Sequence, residues 1–188
     1  MKPIYALPLL ALGASSQRYK SPLLNAARRA VTYPYGQVNF TKTCSADLTN
    51  FEFPHLIVPI DSQNPDTVRG TSFNATVSPT ISSVFNFDIP NSASGLTCTL
   101  WFLFPDRDSI FSGDGIVRFS RLAEPATMGT TYNNVPPVQE QLSDVLLSPG
   151  RNYNMTSFEC PANQKIAFRM DSGGSTVLNY FQDSRDPP

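Results

Sequence analysis

Leu96-Thr-Cys-Thr-Leu-Trp-Phe-Leu-Phe104 is the stretch on which the fold turns. Cys98, Leu100, Phe102 and Phe104 share one parity; Thr97, Thr99, Trp101 and Leu103 take the other. A period of two is strand geometry, and apolar residues on both parities predict a central strand covered on both faces. Trp101, the single tryptophan, is expected in the core. Moving outward, the same period recurs. Phe85, Phe87 and Ile89 alternate with Asn86 and Asp88, Phe73, Ala75 and Val77 with Asn74 and Thr76, and Val38 and Phe40 with Asn39 and Thr41. Further strands are predicted at His55–Ile60, Ile116–Ser120, Gln139–Leu147, Tyr153–Cys160, Lys165–Met170 and Thr176–Phe181. Turn chemistry separates them, as in Asp61-Ser-Gln-Asn-Pro65, Ser112-Gly-Asp-Gly115, Ser148-Pro-Gly150 and Ser172-Gly-Gly174. Short strands at regular spacing, with no helical stripe after position 36, predict a single all-β domain. Its architecture is an antiparallel sandwich, jelly-roll-like in character.

The composition agrees with many short elements. Charged residues make up 15% of the 188, against roughly 25% for an average globular chain. Twenty Ser, 15 Thr and 13 Asn supply polarity instead, and 17 Pro and 10 Gly supply turns. A net charge of −1 leaves no electrostatic footprint for a nucleic acid. Beyond the N-terminus no apolar run reaches the roughly 18 residues of a spanning helix.

The N-terminus reads as an address. Lys2 precedes the apolar run Ile4–Leu12, and the small residues Gly13, Ala14, Ser15 and Ser16 follow. That is the layout of a secretory signal peptide. Residues 1–16 are therefore expected to be a leader, 17–36 a linker or pro-segment, and 37–188 the sandwich domain. Arg28-Arg29 is either a dibasic processing site or part of a solvated linker.

Export makes cysteine pairing the next question. Of three cysteines, Cys98 and Cys160 both lie in predicted strands at inward parity, so a Cys98–Cys160 disulfide is expected. Cys44 is then free or intermolecular. Three acceptor sequons, Asn39-Phe-Thr41, Asn74-Ala-Thr76 and Asn154-Met-Thr156, mark Asn39, Asn74 and Asn154 as glycosylation sites. Asn39 and Asn74 sit on the polar parity. Asn154 shares its parity with Phe158 and Cys160, inward, and ranks last.

Catalytic chemistry is not encoded in a recognisable set. His55 is the only histidine, and no G-x-S-x-G is present. Asp106, Asp108 and Asp114 cluster near one loop but lack the spacing of an EF-hand. No catalytic residue, cofactor or metal site is expected, although 15 acids leave a glycosidase-type carboxylate pair open as an alternative.

Five stretches carry a family resemblance: Phe53-Pro-His-Leu-Ile-Val-Pro-Ile-Asp-Ser-Gln-Asn-Pro-Asp66, Ile81-Ser-Ser-Val-Phe-Asn-Phe-Asp-Ile-Pro90, Cys98-Thr-Leu-Trp-Phe-Leu-Phe-Pro105, Phe158-Glu-Cys-Pro-Ala162 and Leu178-Asn-Tyr-Phe-Gln-Asp183. In this order they resemble the fungal domain named after the C-terminus of But-two, the Uba-three-binding protein. The resemblance implies a β-sandwich, secreted or at the cell surface, with no established activity. Relatives usually continue past Phe-Gln-Asp into another short strand, whereas this chain ends Ser184-Arg-Asp-Pro-Pro188. The expectation is a secreted, non-catalytic protein of the fungal cell surface or wall, with wall polysaccharide or an extracellular protein as partner. The alternatives are a secreted hydrolase and, from the family name alone, a partner of a ubiquitin-like modifier's activating enzyme.

Overall fold

Alternating β-branched and aromatic side chains have only one way to bury every second residue, and the chain takes it almost throughout. The computed structural model describes residues 9–15, 40–41, 51–104 and 109–182. Thirteen strands lie in these residues: β1 (Leu9–Ser15), β2 (Phe40–Thr41), β3 (Phe51–Glu52), β4 (Leu56–Asp61), β5 (Asn74–Val77), β6 (Ile81–Asp88), β7 (Thr97–Phe104), β8 (Ser109–Ser112), β9 (Ile116–Leu122), β10 (Val138–Leu146), β11 (Arg151–Glu159), β12 (Lys165–Ser172) and β13 (Val177–Phe181). A single 3-10 turn, Asn91–Ala93, is the only helical element described, and no described helix is long and apolar enough to cross a membrane.

All pairings are antiparallel. One sheet runs β2-β11-β7-β1-β3, a second β10-β9-β12-β6-β4, and a three-stranded sheet β5-β13-β8. The sheets enclose one main core in a sandwich-like arrangement. Phe102 is its hub, with the rings of Phe104, Phe119, Tyr153 and Tyr180 between 5.6 and 6.5 Å away. Burying a side chain of this size stabilises by about 1.5–3 kcal/mol. The core is therefore concentrated where β7, β9, β11 and β13 meet. As its two apolar parities predict, β7 is central, held by β11 on one side and by β1 on the other.

Cys98 and Cys160 form the expected disulfide, with Cα atoms 4.9 Å apart. It closes a 62-residue loop, for which chain-entropy models give roughly 4 kcal/mol. Three expectations need correction. Phe73 was expected to point inward with Ala75 and Val77, but it is 72% exposed while they are fully buried. The strand begins one residue later, and the Phe73 carbonyl instead accepts the Gln182 amide. The parity shared with Phe158 and Cys160 predicts an inward Asn154. The β11–β7 register shifts between Asn154 and Thr156, so this bulge reverses parity and puts Asn154 opposite Trp101 on the outer face. Trp101 itself is half-buried on that face and outside the core.

The first sheet also includes β1, which comes from the apolar stretch read as a leader. It pairs with β7 from Leu9↔Leu103 to Ser15↔Thr97 and carries β3 on its far side. Asn39, Cys44, Arg28-Arg29, Asp106, Asp108 and the C-terminal residues 184–188 lie outside the described residues.

Candidate binding surface

The second sheet is apolar on both faces. Inward residues such as Phe85, Phe87, Phe119 and Phe168 feed the main core. On the reverse face Val58, Ile60, Val84, Leu122 and Ala167 form a second buried cluster with Ala126 of the β9–β10 connection. Left bare, that face would be an aggregation hazard. The 15-residue connection 123–137 covers it, with Val135 packed against the cluster.

Covering a sheet with loop requires partners for the loop's backbone. Asn86, buried on β6, supplies two: its Nδ2 donates to the Ala126 carbonyl (2.8 Å) and its Oδ1 accepts the Ala126 amide (3.0 Å). The neck closes where the Ala123 amide donates to the Pro137 carbonyl. Within the loop, Thr130 Oγ1 accepts the Thr127 amide, and Asn134 Oδ1 accepts the Thr131 amide. These are the features of a compact Ω-type loop.

A second loop is fastened to the first. The Asn133 amide donates to the Pro65 carbonyl (3.0 Å), and Asn133 Nδ2 donates to Asp66 Oδ1 (2.7 Å). Asp61 organises the Pro65 turn from beneath. Its carboxylate accepts from Asn64 Nδ2, the Gln63 amide and the Arg69 guanidinium. Hydrogen bonds from Asn64 and the Gln63 amide, with help from Arg69, hold its pKa down at about 2. Of the two loops, Val68 in one and Met128 and Tyr132 in the other face solvent, at 55, 65 and 37% exposure. The Arg169 guanidinium lies 5.5 Å from the Tyr132 ring centroid and pairs with Asp171. Beside it on the same sheet face, Arg118 grips Asp144 with two 2.8 Å bonds.

The residues singled out from the sequence fall elsewhere. His55 stands between two carboxylates, Glu52 and Asp88, each 3.4 Å away, with Phe53 edge-on at 5.7 Å. Neither of these contacts is to a hydroxyl. Burial tends to raise Asp88, but hydrogen bonds from Lys165 and His55 outweigh it and hold the carboxyl below its usual value. Asp114 ties two turns together. It accepts from Thr176 Oγ1 (2.7 Å) and from the Ser175 and Ile116 amides, which keep it at about 2. Among the described residues no group of three or more His, Cys, Asp or Glu is arranged to hold a metal. Asn74 and Asn154 both reach the outside of their sheets, and Cys98 and Cys160 are buried.

The Asp61–Pro65 turn is legible in the sequence, but its fastening to the 123–137 connection is not. Asn86 was visible only as the polar half of an alternation, and its partner lies 40 residues away. The length of the 123–137 gap was the one available signal.

The described residues form a disulfide-closed, sandwich-like antiparallel β-domain with two loops fastened to each other beside one sheet. The family model for the Ubiquitin 3 binding protein But2 C-terminal domain matches residues 52–186, and the chain belongs to that family. No curated protein sequence matches the chain.

Proposed function

We propose that the chain is a non-catalytic, secreted domain of the cell surface or wall that binds another protein through the fastened loop pair. One observation carries the reading: two loops are ordered by buried and cross-loop hydrogen bonds, yet Val68 of one and Met128 and Tyr132 of the other stand in solvent. Ordering a backbone residue costs about 1–2 kcal/mol, and a loop held in one shape at that cost is pre-organised to bind. The family description names protein binding, which supports a protein partner over a polysaccharide. The leader layout of residues 1–16 supports export. Asp61, Asp88, Asp114, Asp144 and Asp171 are each engaged in internal pairs, which suits a structural use of these acids better than the hydrolase alternative.

The test is affinity capture from culture supernatant and wall extract with the full chain. Three proteins are compared: the parent, the double variant Val68→Asp/Met128→Asp, and Ile110→Asp on the three-stranded sheet. A protein retained by the parent and by Ile110→Asp but lost by the double variant is the expected result. Retention by the double variant would sink the assignment of the surface. A second reading, an intracellular partner of a ubiquitin-like activating enzyme, draws on the family description and on β1, whose pairing requires an uncleaved N-terminus. The N-terminal residue of the recovered protein separates the two: Met1 favours the second, a start near Gln17 the first.

A further inference from the structure

The outer face of the three-stranded sheet carries large apolar side chains that stand exposed among the described residues. Phe73 and Phe181 stand there at 72 and 40% exposure with ring centroids 6.5 Å apart, and Ile110, on β8 opposite Asn179, is 65% exposed. At one end of this face, where edge strand β5 begins, lies a sequon. Asn74 is the register partner of Phe181, so the two share a face with Cβ atoms about 4.5–5.5 Å apart. Asn74 Nδ2 donates one hydrogen to Asn179 Oδ1 (3.1 Å), and Asn179 Nδ2 donates to Oγ1 of Thr76, the sequon threonine (2.7 Å). This ladder aims the amide along the sheet surface and leaves its second hydrogen replaceable. The other described sequon repeats the pattern, because Asn154 is the register partner of half-buried Trp101.

We propose that Asn74 carries an N-linked glycan whose first sugar covers the Phe73–Phe181 rings, and that a glycan on Asn154 covers Trp101 in the same way. This rests on the reading that the chain is exported. The occupant is specified by covalent reach: the amide nitrogen that would bear the sugar sits beside the ring it would cover. The apolar C–H face of a pyranose is electropositive and suits the negative face of an aromatic ring, besides burying apolar area. The oligosaccharide comes from a polyprenyl-diphosphate donor. Its C1–O bond breaks, the diphosphate leaves with the bonding electrons, the Nδ2–C1 bond forms, and one Nδ2 proton is released. The remaining N–H keeps the bond to Asn179, so the ladder survives modification.

The experiment expresses the full chain in a eukaryotic secretory host, once with its own N-terminus and once behind an independent leader. Site occupancy is read by peptide mapping. Thermal midpoints are compared before and after enzymatic glycan removal, in the parent and in Phe73→Ser/Phe181→Ser. Expected are an occupied Asn74 and a Tm loss of about 2–4 °C on glycan removal, the shift that corresponds to about 1 kcal/mol in a domain of this size. In the double variant that loss should shrink to the share of the Asn154 glycan. Trp101 is the only tryptophan, so removing the Asn154 glycan should move the intrinsic emission to the red. A bare Asn74 in exported protein, or equal Tm losses with and without the rings, would overturn the inference. Export only behind the independent leader, with occupancy and shifts as expected, would overturn the export reading and leave the glycan inference standing.

Discussion

Two outer faces of this molecule carry apolar side chains, and they are treated differently. The second sheet hides Val58, Ile60, Val84 and Ala167 beneath its own 123–137 connection. The three-stranded sheet leaves Phe73, Ile110 and Phe181 uncovered. The first face is closed by partners 40 residues apart in sequence, so it is part of the folded state itself. The second contributes its polar ladder, Asn74–Asn179–Thr76, to the surface rather than to a cover. The lesson is that exposure of an apolar residue is informative where the same chain shows how it covers such residues elsewhere.

The largest expected effect comes from removing the clasp on the covered face. Asn86→Leu leaves the Ala126 amide and carbonyl without partners in a buried setting, at about 1–3 kcal/mol for each group. Chemical denaturation should show a loss of about 2–4 kcal/mol, and limited proteolysis should cut within 123–137. An unchanged midpoint would mean that the loop is held by packing alone. Next is Gly113→Ala, at the turn that links the two faces. Gly113 has φ +87°, and a Cβ there would lie 2.2 Å from the Ser175 carbonyl oxygen. A cost of about 1–3 kcal/mol is expected, read as a fall in Tm.

Acid should come next in size. Asp61 anchors the covering loops and Asp114 the turn between sheets, and both titrate at about 2 in the fold, below the ordinary 3.8. A lowered folded pKa means that stability is complete above the unfolded value and falls away as pH drops from about 4 to about 2. Asp114→Asn should flatten that part of the pH profile, and a profile identical to the parent would remove Asp114 as a cause. The smallest effect is expected on the open face. In protein made without glycan, Phe181→Ser should change stability by no more than about 0.5 kcal/mol. A larger loss would show that the ring pair is structural in its own right.

Much of the fold was legible because the period-two signal is local. Cys98 and Cys160 could be paired from parity, and the central place of β7 followed from its two apolar faces. The misreadings share a cause, which is that parity depends on where a strand starts and whether it bulges. Phe73 precedes its strand by one residue, and a shift at Met155 turned Asn154 around. Ser109–Ser112 pairs as β8 but alternates too weakly over four residues to be read. The loop surface was least legible, since the pairings of Asn86 with Ala126 and Asn133 with Asp66 span 40 and 67 residues. No periodicity encodes contacts of that kind.

The place of β1 in the first sheet sets up a matter of timing. Leu9 pairs with Leu103, so its partner is synthesised about 90 residues later. At roughly 5–20 residues per second, that delay is on the order of 5–20 s. During this interval the apolar stretch has only the two residues of β3 to pair with and lacks its main partner β7, so it is open to export machinery wherever that is at hand. Where such machinery meets the nascent chain, address is read before architecture, and β7 then folds with one neighbour fewer. Where it does not, the same residues complete the sheet and close over β7, and clock time rather than affinity separates the two products.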